Sequence, residues 1–353
     1  MKTHKNLYGH ICSFENLLRA AKKAQKGKRY QENVGRFNAN LEHELIQLRR
    51  ELIEKSYIPG AFRTFTIFEP KKRLISAAPY RDRVVHHALC NVIEPLFEKK
   101  FIYDSYANRV DKGTHRAILR YQKFCRKNKF VLKCDIRKYF PSIDHEILKE
   151  EIRRTIGCRD TLWLIDRIID FSNEQERVFD YFPGDELFTP LQRQRGLPIG
   201  NLTSQFFANV YLNRFDHFVK EQLKCKFYLR YMDDFATLGN DKEHLWEVKS
   251  EMERFLVRFR IRIHENKCQI YRTEKGLSFL GFRVFPEFRL LKRENVVRTR
   301  RRIRRLQEKY AARKLSFEEV TRSVHGWLGH AKFGDTYGLR KKLFEEHPFV
   351  RTN

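Results

Sequence analysis

The chain has no apolar run approaching the ~20 residues that a membrane-spanning helix needs. Its first residues, MKTHKNLYGHICSFENLLRAAKK, carry no apolar h-region and no cleavage-site pattern, so they do not read as a secretory signal. There is no internal repeat and no low-complexity linker, which excludes a repeat architecture. Seven cysteines (Cys12, Cys90, Cys125, Cys134, Cys158, Cys225 and Cys268) are odd in number and widely spaced, with no CxxC pair. That pattern argues against a disulfide framework and a zinc knuckle, and predicts reduced core thiols in a cytoplasmic protein. His325 and His330, in HGWLGH, have no partner ligand in the sequence and are expected to be structural. Acidic residues are scarce: 44 Asp and Glu face 72 Lys and Arg, a net charge of +28. A surplus of that size repels itself in a compact state unless a polyanion lies nearby. Nucleic acid is the first candidate, ahead of an anionic membrane surface.

What is present is a globular composition, 41% hydrophobic and rich in Phe, in a chain of 353 residues that can hold two or three packed units. ENLLRAAKKAQ and ENVGRFNANLEHELIQLRREL have apolar positions at helical spacing. FRTFTIFEPKKRLI reads as two strands broken at Glu69-Pro70-Lys71. RDRVVHHALCNVIEPLFEKKF is a helix pattern, VLKCDIRKYF a strand with a turn at Pro141, and SIDHEILKEEIRRTI a helix with Ser142 as its N-cap. NLTSQFFANVYLNRFDHFVKEQL predicts one long helix, FYLRYMDDFATLG a hairpin, and EHLWEVKSEMERFLVRF another helix. The sequence returns to strands at Ser278–Val284, then turns Arg-rich and helical from about Pro286. The order strand, helix, helix, hairpin, helix, strand predicts an α+β fold, with an antiparallel sheet covered by helices on one face.

Two adjacent carboxylates, Asp233 and Asp234, sit inside the apolar run FYLRYMDDFATL. Neighbouring residues in a strand face opposite ways, so both can approach one site only at a hairpin turn. Charges so close repel unless a cation neutralises them. Asp135 ends a second apolar strand and could face Asp233 on the neighbouring hairpin. Three oxygen-ligand side chains of this kind suit Mg²⁺ shared with substrate phosphates. Two such ions, with Mn²⁺ as a substitute, can activate a 3′-hydroxyl and stabilise leaving pyrophosphate. Together with the charge, this reads as a nucleic acid polymerase or nuclease.

These residues also match a family. KCDIRKYFPSIDH resembles motif A of reverse transcriptases, RGLPIGNLTSQFFANVYLNRFD motif B and RYMDDFATLG motif C. SFLGF resembles the primer-grip hairpin, and RLISAAPYRDRVVHHALCNVIEPLFEKKFIYDSYANRVDKGTHRAI the fingers blocks of bacterial and group II intron-type enzymes. IGNLTSQ in motif B, in place of the QGG followed by SP usual in group II intron enzymes, resembles the reverse transcriptases of diversity-generating retroelements. The thumb text WLGHAKFGDTYGL is similar to that group too.

The resemblance implies a right-hand polymerase: an N-terminal helical extension (residues 1–55), a fingers and palm core (56–285) and a basic helical thumb (286–353). It implies that Asp135, Asp233 and Asp234 hold the metals, completed by the Ile136 carbonyl, and that Lys267 protonates pyrophosphate. Lys71, Arg73 and Arg109 would bind the triphosphate, and Phe140 would block a ribose 2′-hydroxyl. Gly196, Pro198, Ile199, Gly200 and Gln205 would line the templating base and nascent pair, with Ile199 loosening selection opposite template adenines. Arg298, Arg300, Arg301, Arg302, Arg304 and Arg305 would grip the backbone of an RNA–DNA hybrid; residues 286–353 hold 18 Lys and Arg against 8 Asp and Glu. Tyr310, Phe317 and Trp327 are expected in the thumb's core. The implied partners are template and primer RNA, dNTPs and a small basic pentameric accessory protein, with no membrane. Two other readings remain open: a bacterial antiviral defence reverse transcriptase using a noncoding RNA, and a maturase-like RNA-binding scaffold.

Overall fold

The computed structural model describes residues 3–68, 72–173 and 176–351. After a short helical turn at Tyr8–Ile11 come helices α1 (Phe14–Ala24), α2 (Glu32–Ala39) and α3 (Leu41–Ile53). Ser13 caps α1 by accepting the Asn16 N–H. Leu17, Ala20, Ala21 and Ala24 recur at helical spacing and are buried. The stripe packs on α4 (Tyr80–Glu98), where buried Asn16 donates to the Ala88 carbonyl at 3.0 Å. Between them, β1 (Arg63–Ile67) and β2 (Arg73–Ala77) form a separate antiparallel hairpin. The predicted break between them, with Lys71, lies outside the described residues.

After α5 (Thr114–Cys125) comes β3 (Phe130–Asp135), then α6 (His145–Arg153) and α7 (Arg159–Asp170). The α6 cap is Asp144, which accepts the Glu146 and Ile147 N–H groups. Ser142, the cap expected from sequence, ends a separate helical turn, Tyr139–Ser142, which also contains Pro141. The predicted long helix is broken into α8 (Leu202–Tyr211), α9 (Asn213–His217) and a wide turn at Phe218–Gln222. The hairpin β4 (Phe227–Tyr231) and β5 (Asp234–Gly239) follows, then α10 (Lys242–Val257) and β6 (Gln269–Arg272). Strands β4-β5-β3-β6 make one antiparallel sheet. A second sheet, β7 (Leu277–Phe279), β8 (Phe282–Val284) and β9 (Arg289–Leu291), leads into α11 (Arg293–Ala311), α12 (Phe317–Ala331) and α13 (Tyr337–Glu345).

Strand alternation divides the main sheet between two cores. Leu132, Cys134, Tyr228 and Phe235 join the large core with α4 and α8–α10, so helices cover this face as expected. Val131, Leu229, Ala236 and Leu238 face the other way, against α5 and the second sheet. Asp135 and Asp234 share that second face.

The cysteine expectation fails at one pair. Cys134 and Cys268 are joined as a disulfide, while Cys12, Cys90, Cys125, Cys158 and Cys225 are buried and free. The partners lie 134 residues apart, and only the pairing of β3 with β6 brings them together, so spacing could not reveal them.

Beneath the β4–β5 turn lies a buried ion pair. Arg230 and Asp216 are both fully buried, and the guanidinium grips the carboxylate at 2.8 and 2.6 Å. Arg230 also donates to Asn209 Oδ1, Ser105 Oγ and the Met232 carbonyl, while the Tyr228 hydroxyl donates to Asp216 at 2.7 Å. Removing one partner strands the other charge in the core, at a cost of about 3–5 kcal/mol, whereas removing both leaves no unpaired charge, only neutral polar groups to be satisfied. Asp216→Ala is therefore expected to lower unfolding free energy in urea by that amount, and Asp216→Leu combined with Arg230→Met by clearly less.

Candidate active site and nucleic-acid interface

The β4–β5 connection is a two-residue turn, with Tyr231 paired to Asp234 and Met232–Asp233 between them. Met232 has a positive φ of 59°, a costly conformation for a side chain of this size. The Arg230 guanidinium holds it from below through the Met232 carbonyl, at 2.9 Å. The Ile136 N–H donates to the Asp233 carbonyl, and the His264 N–H to that of Asp135. In the β3–β5 register Asp135 stands directly opposite Asp234, not Asp233, which lies in the turn next to it.

Their electrostatics show the crowding. Burial, then the Asp234 and Asp135 charges, push the Asp233 carboxyl up to about 6, opposed by Arg73. Burial raises Asp234 as well, with Lys133 pulling it back. Cations stand against the other two carboxylates: Lys267 pairs with Asp135, and Lys133 lies 3.6 Å from Asp234. Among the described residues no three His, Cys, Asp or Glu side chains stand together as a ready metal site. The donor set nonetheless fits a divalent ion: it is all oxygen, mutually repulsive and already drawing ammonium groups.

Lys133 was missed in the sequence. Its position two residues before Asp135, on the same strand face, was the available signal. It also donates to the Ser278 carbonyl at 3.2 Å, tying the β7–β8 hairpin to the site. That hairpin turns through Leu280 and Gly281, both at positive φ.

Arg109 is corrected. Its guanidinium side chain is 5% exposed, pairs with Glu98 and donates to the Ile102 and Ser105 carbonyls. It pins the loop before α5, with its guanidinium buried and mostly engaged there rather than free for a triphosphate. Arg73, by contrast, is exposed on β2 and close enough to favour ionised Asp233.

The motif B residues divide. Gly196 and Pro198 are buried, so they do not face a base pair. Gly196, at φ +96°, donates to the Ile143 carbonyl, and its own carbonyl meets His145 Nε2 at 2.8 Å. Ile199 and Gln205 are half-buried and Gly200 is exposed. The Ser76 N–H donates to the Ile199 carbonyl, and the Asn201 side chain both donates to the Ser76 carbonyl and accepts the Ala78 N–H. A Cβ on Gly200 would meet Ile75 at 2.9 Å, so this glycine permits close approach of a strand, where the sequence suggested a base. Phe140 is half-buried, its ring edge-on to Tyr139 and its carbonyl accepting the Leu197 N–H.

In α11, Arg298, Arg301, Arg302 and Arg305 recur on one face and line a groove of about 930 Å³ with Trp327 and His330. Arg300 pairs instead with Glu346, and Arg304 is exposed outside the groove lining. Of the aromatics expected in the core, Trp327 packs against it and on Phe344 while also lining the groove, whereas Phe317 is 62% exposed. His330 is structural in part, packing on the Phe282 ring.

A right-hand palm with paired strand-end carboxylates defines a nucleotidyltransferase. The family description reverse transcriptase (RNA-dependent DNA polymerase) matches residues 66–284, and the chain belongs to that family. It is 24% identical to Protein YkfC of Escherichia coli (strain K12), over 71% of this chain and 74% of that protein. It is also 24% identical to the group II intron-encoded protein LtrA of Lactococcus lactis subsp. cremoris, over 53% of this chain and 30% of that one. The structure of apo telomerase from Candida Tropicalis aligns with a TM-score of 0.44 at 12% identity, over 64% of this chain and 47% of that one. The chain thus spans less than a third of the intron-encoded relative. No helix among the described residues is long and apolar enough to cross a membrane.

The contrast between the two arginines can be measured. Arg109→Ala is expected to lower the melting temperature while leaving the KM for dNTP in the folded fraction unchanged. Arg73→Ala is expected to raise that KM about 10-fold or more, as loss of a charged hydrogen bond to phosphate would.

Proposed function

We propose that this protein copies a dedicated structured RNA into cDNA as the reverse transcriptase of a diversity-generating retroelement. The observation that supports the polymerase reading is the pairing of Asp135 with Asp234 across neighbouring strands, with Asp233 in the adjoining turn and Arg73 near enough to favour its charged form. The retroelement assignment rests on IGNLTSQ in motif B. Residues 1–55, 56–285 and 286–353 act as extension, fingers with palm, and thumb.

Asp135, Asp233 and Asp234 would hold two Mg²⁺ ions, which neutralise charge at the reacting phosphate and make the primer hydroxyl a better nucleophile. Around them the chain's own groups position and select. Arg73 orients the triphosphate, with Lys71 proposed beside it. Lys267, resting on Asp135, is placed to hand a proton to leaving pyrophosphate. The Phe140 ring excludes a 2′-hydroxyl. Gln205 and the Ile199 side chain border the nascent pair, and an apolar group at 199 supplies no polar discrimination there. The groove arginines of α11 take the hybrid's phosphates as point and fork contacts. A basic pentameric accessory protein is the proposed partner, and the cytoplasm the proposed location.

A second reading, an intron-type or maturase-like enzyme, is favoured by the intron-encoded relative named above. The error spectrum separates the two. cDNA made from co-purifying RNA is expected to carry errors concentrated at template adenines, and errors spread evenly over four bases would overturn the retroelement reading. Ile199→Gln is expected to lower the adenine errors severalfold with little change elsewhere. Asp233→Asn is expected to cut Mg²⁺-dependent dNTP incorporation by at least ~10³-fold while RNA binding persists, the scale on which a lost electrostatic catalytic group is felt. Absence of any Mg²⁺-dependent incorporation by the unaltered protein would overturn the polymerase reading itself.

A further inference from the structure

The strand ends remote from the carboxylates carry a separate charge cluster. Register aligns these ends: Phe227 pairs with Leu238, and Phe130 with both Gly239 and Arg272. The Lys129 N–H donates to Asn240 Oδ1 at 2.9 Å, and the Phe124 and Phe227 rings pack at 5.3 Å, drawing the end of α5 to the start of β4. Lys123, Lys127, Lys129, Lys224 and Lys226 gather there, all exposed. Among the described residues none of the five ammonium groups has a carboxylate partner. Three nearby acids are engaged elsewhere: Asp241 caps α10, Glu274 pairs with Arg272, and Glu287 with Arg126. Asp135 closes the opposite end of β3, about 17 Å away at ~3.4 Å per residue.

We propose that this distal end of the palm sheet is a second phosphate-binding surface, which holds the backbone of a folded RNA outside the polymerase cleft. It rests on the reading of the chain as an enzyme working with its own structured RNA. Lysines without carboxylate partners suit phosphate contact that positions without reading bases. A membrane-surface site would interleave apolar side chains. Here no large apolar residue is exposed at 123–129 or 224–226 among the described residues. The cluster contributes to the +28 surplus separately from the thumb groove.

The test uses the full chain with poly(rA)·oligo(dT) saturating the cleft, and a fluorescent RNA hairpin as probe, titrated at several salt concentrations. The triple variant K127E/K129E/K226E is expected to bind the hairpin at least ~10-fold more weakly. Its log–log salt slope is expected to shrink by about 2–3, at roughly 0.7–0.9 for each phosphate that is no longer neutralised, with extension of oligo(dT) unchanged. The milder pair K123Q/K224Q, which adds no negative charge, is expected to give a smaller effect of the same sign. Unchanged hairpin affinity and slope in both variants would overturn the proposal. So would variants that lose binding to phosphatidylserine vesicles or to an acidic protein while binding RNA normally. Failure of the unaltered protein to extend oligo(dT) would count against the polymerase reading instead, since the hairpin titration does not depend on extension.

Discussion

The Arg230–Asp216 pair is the contact on which the β4–β5 turn depends. It is a full charge pair in the interior, where geometry must be good to repay desolvation. Here two parallel hydrogen bonds, a tyrosine hydroxyl, an asparagine and a serine satisfy both groups. A further interaction, to the Met232 carbonyl, links this rigid base to the turn above it. Met232 can then remain at positive φ, and Asp233 stays beside its two neighbours in spite of repulsion. The strain at the surface is held by polar satisfaction underneath.

The carboxylates and the basic surplus form one electrostatic system. Lys133, Lys267 and Arg73 approach the acidic site from three different elements: the strand itself, the turn before β6, and the β1–β2 hairpin. Each compensates part of the negative charge. The sheet is also polarised along its strands. One end carries the three aspartates, and the lysine-rich end lies at the other ends of the same strands. A polyanion can therefore meet favourable charge at two places without approaching the carboxylates that would repel it.

The fold was legible where side-chain period was strong. Helices α1–α4 and the β4–β5 hairpin follow from apolar spacing, and the three aspartates follow from strand ends bounded by apolar residues. Boundaries set by competing caps were not legible: Ser142 is taken up in its own helical turn, and Asp144, extended directly before α6, accepts its first N–H groups. Roles set by burial were hidden too. Arg109 looked like a phosphate ligand from its motif, but Glu98, eleven residues earlier in the chain, claims it. Cys134 and Cys268 were invisible as a pair because their proximity belongs to the sheet. Arg230 was passed over because a lone arginine inside an apolar strand has no local signal; its partner is on another element.

The stitching of β2 to the start of α8 separates two kinds of information in the motif that distinguishes this enzyme. Asn201 acts through its side chain, Gly200 through its lack of one, and Ile199 through its carbonyl alone. The scaffold therefore constrains positions 200 and 201 while leaving the side chain at 199 unconstrained by these bonds. The side chain at 199 can be exchanged without removing the hydrogen bonds that join β2 to the start of α8.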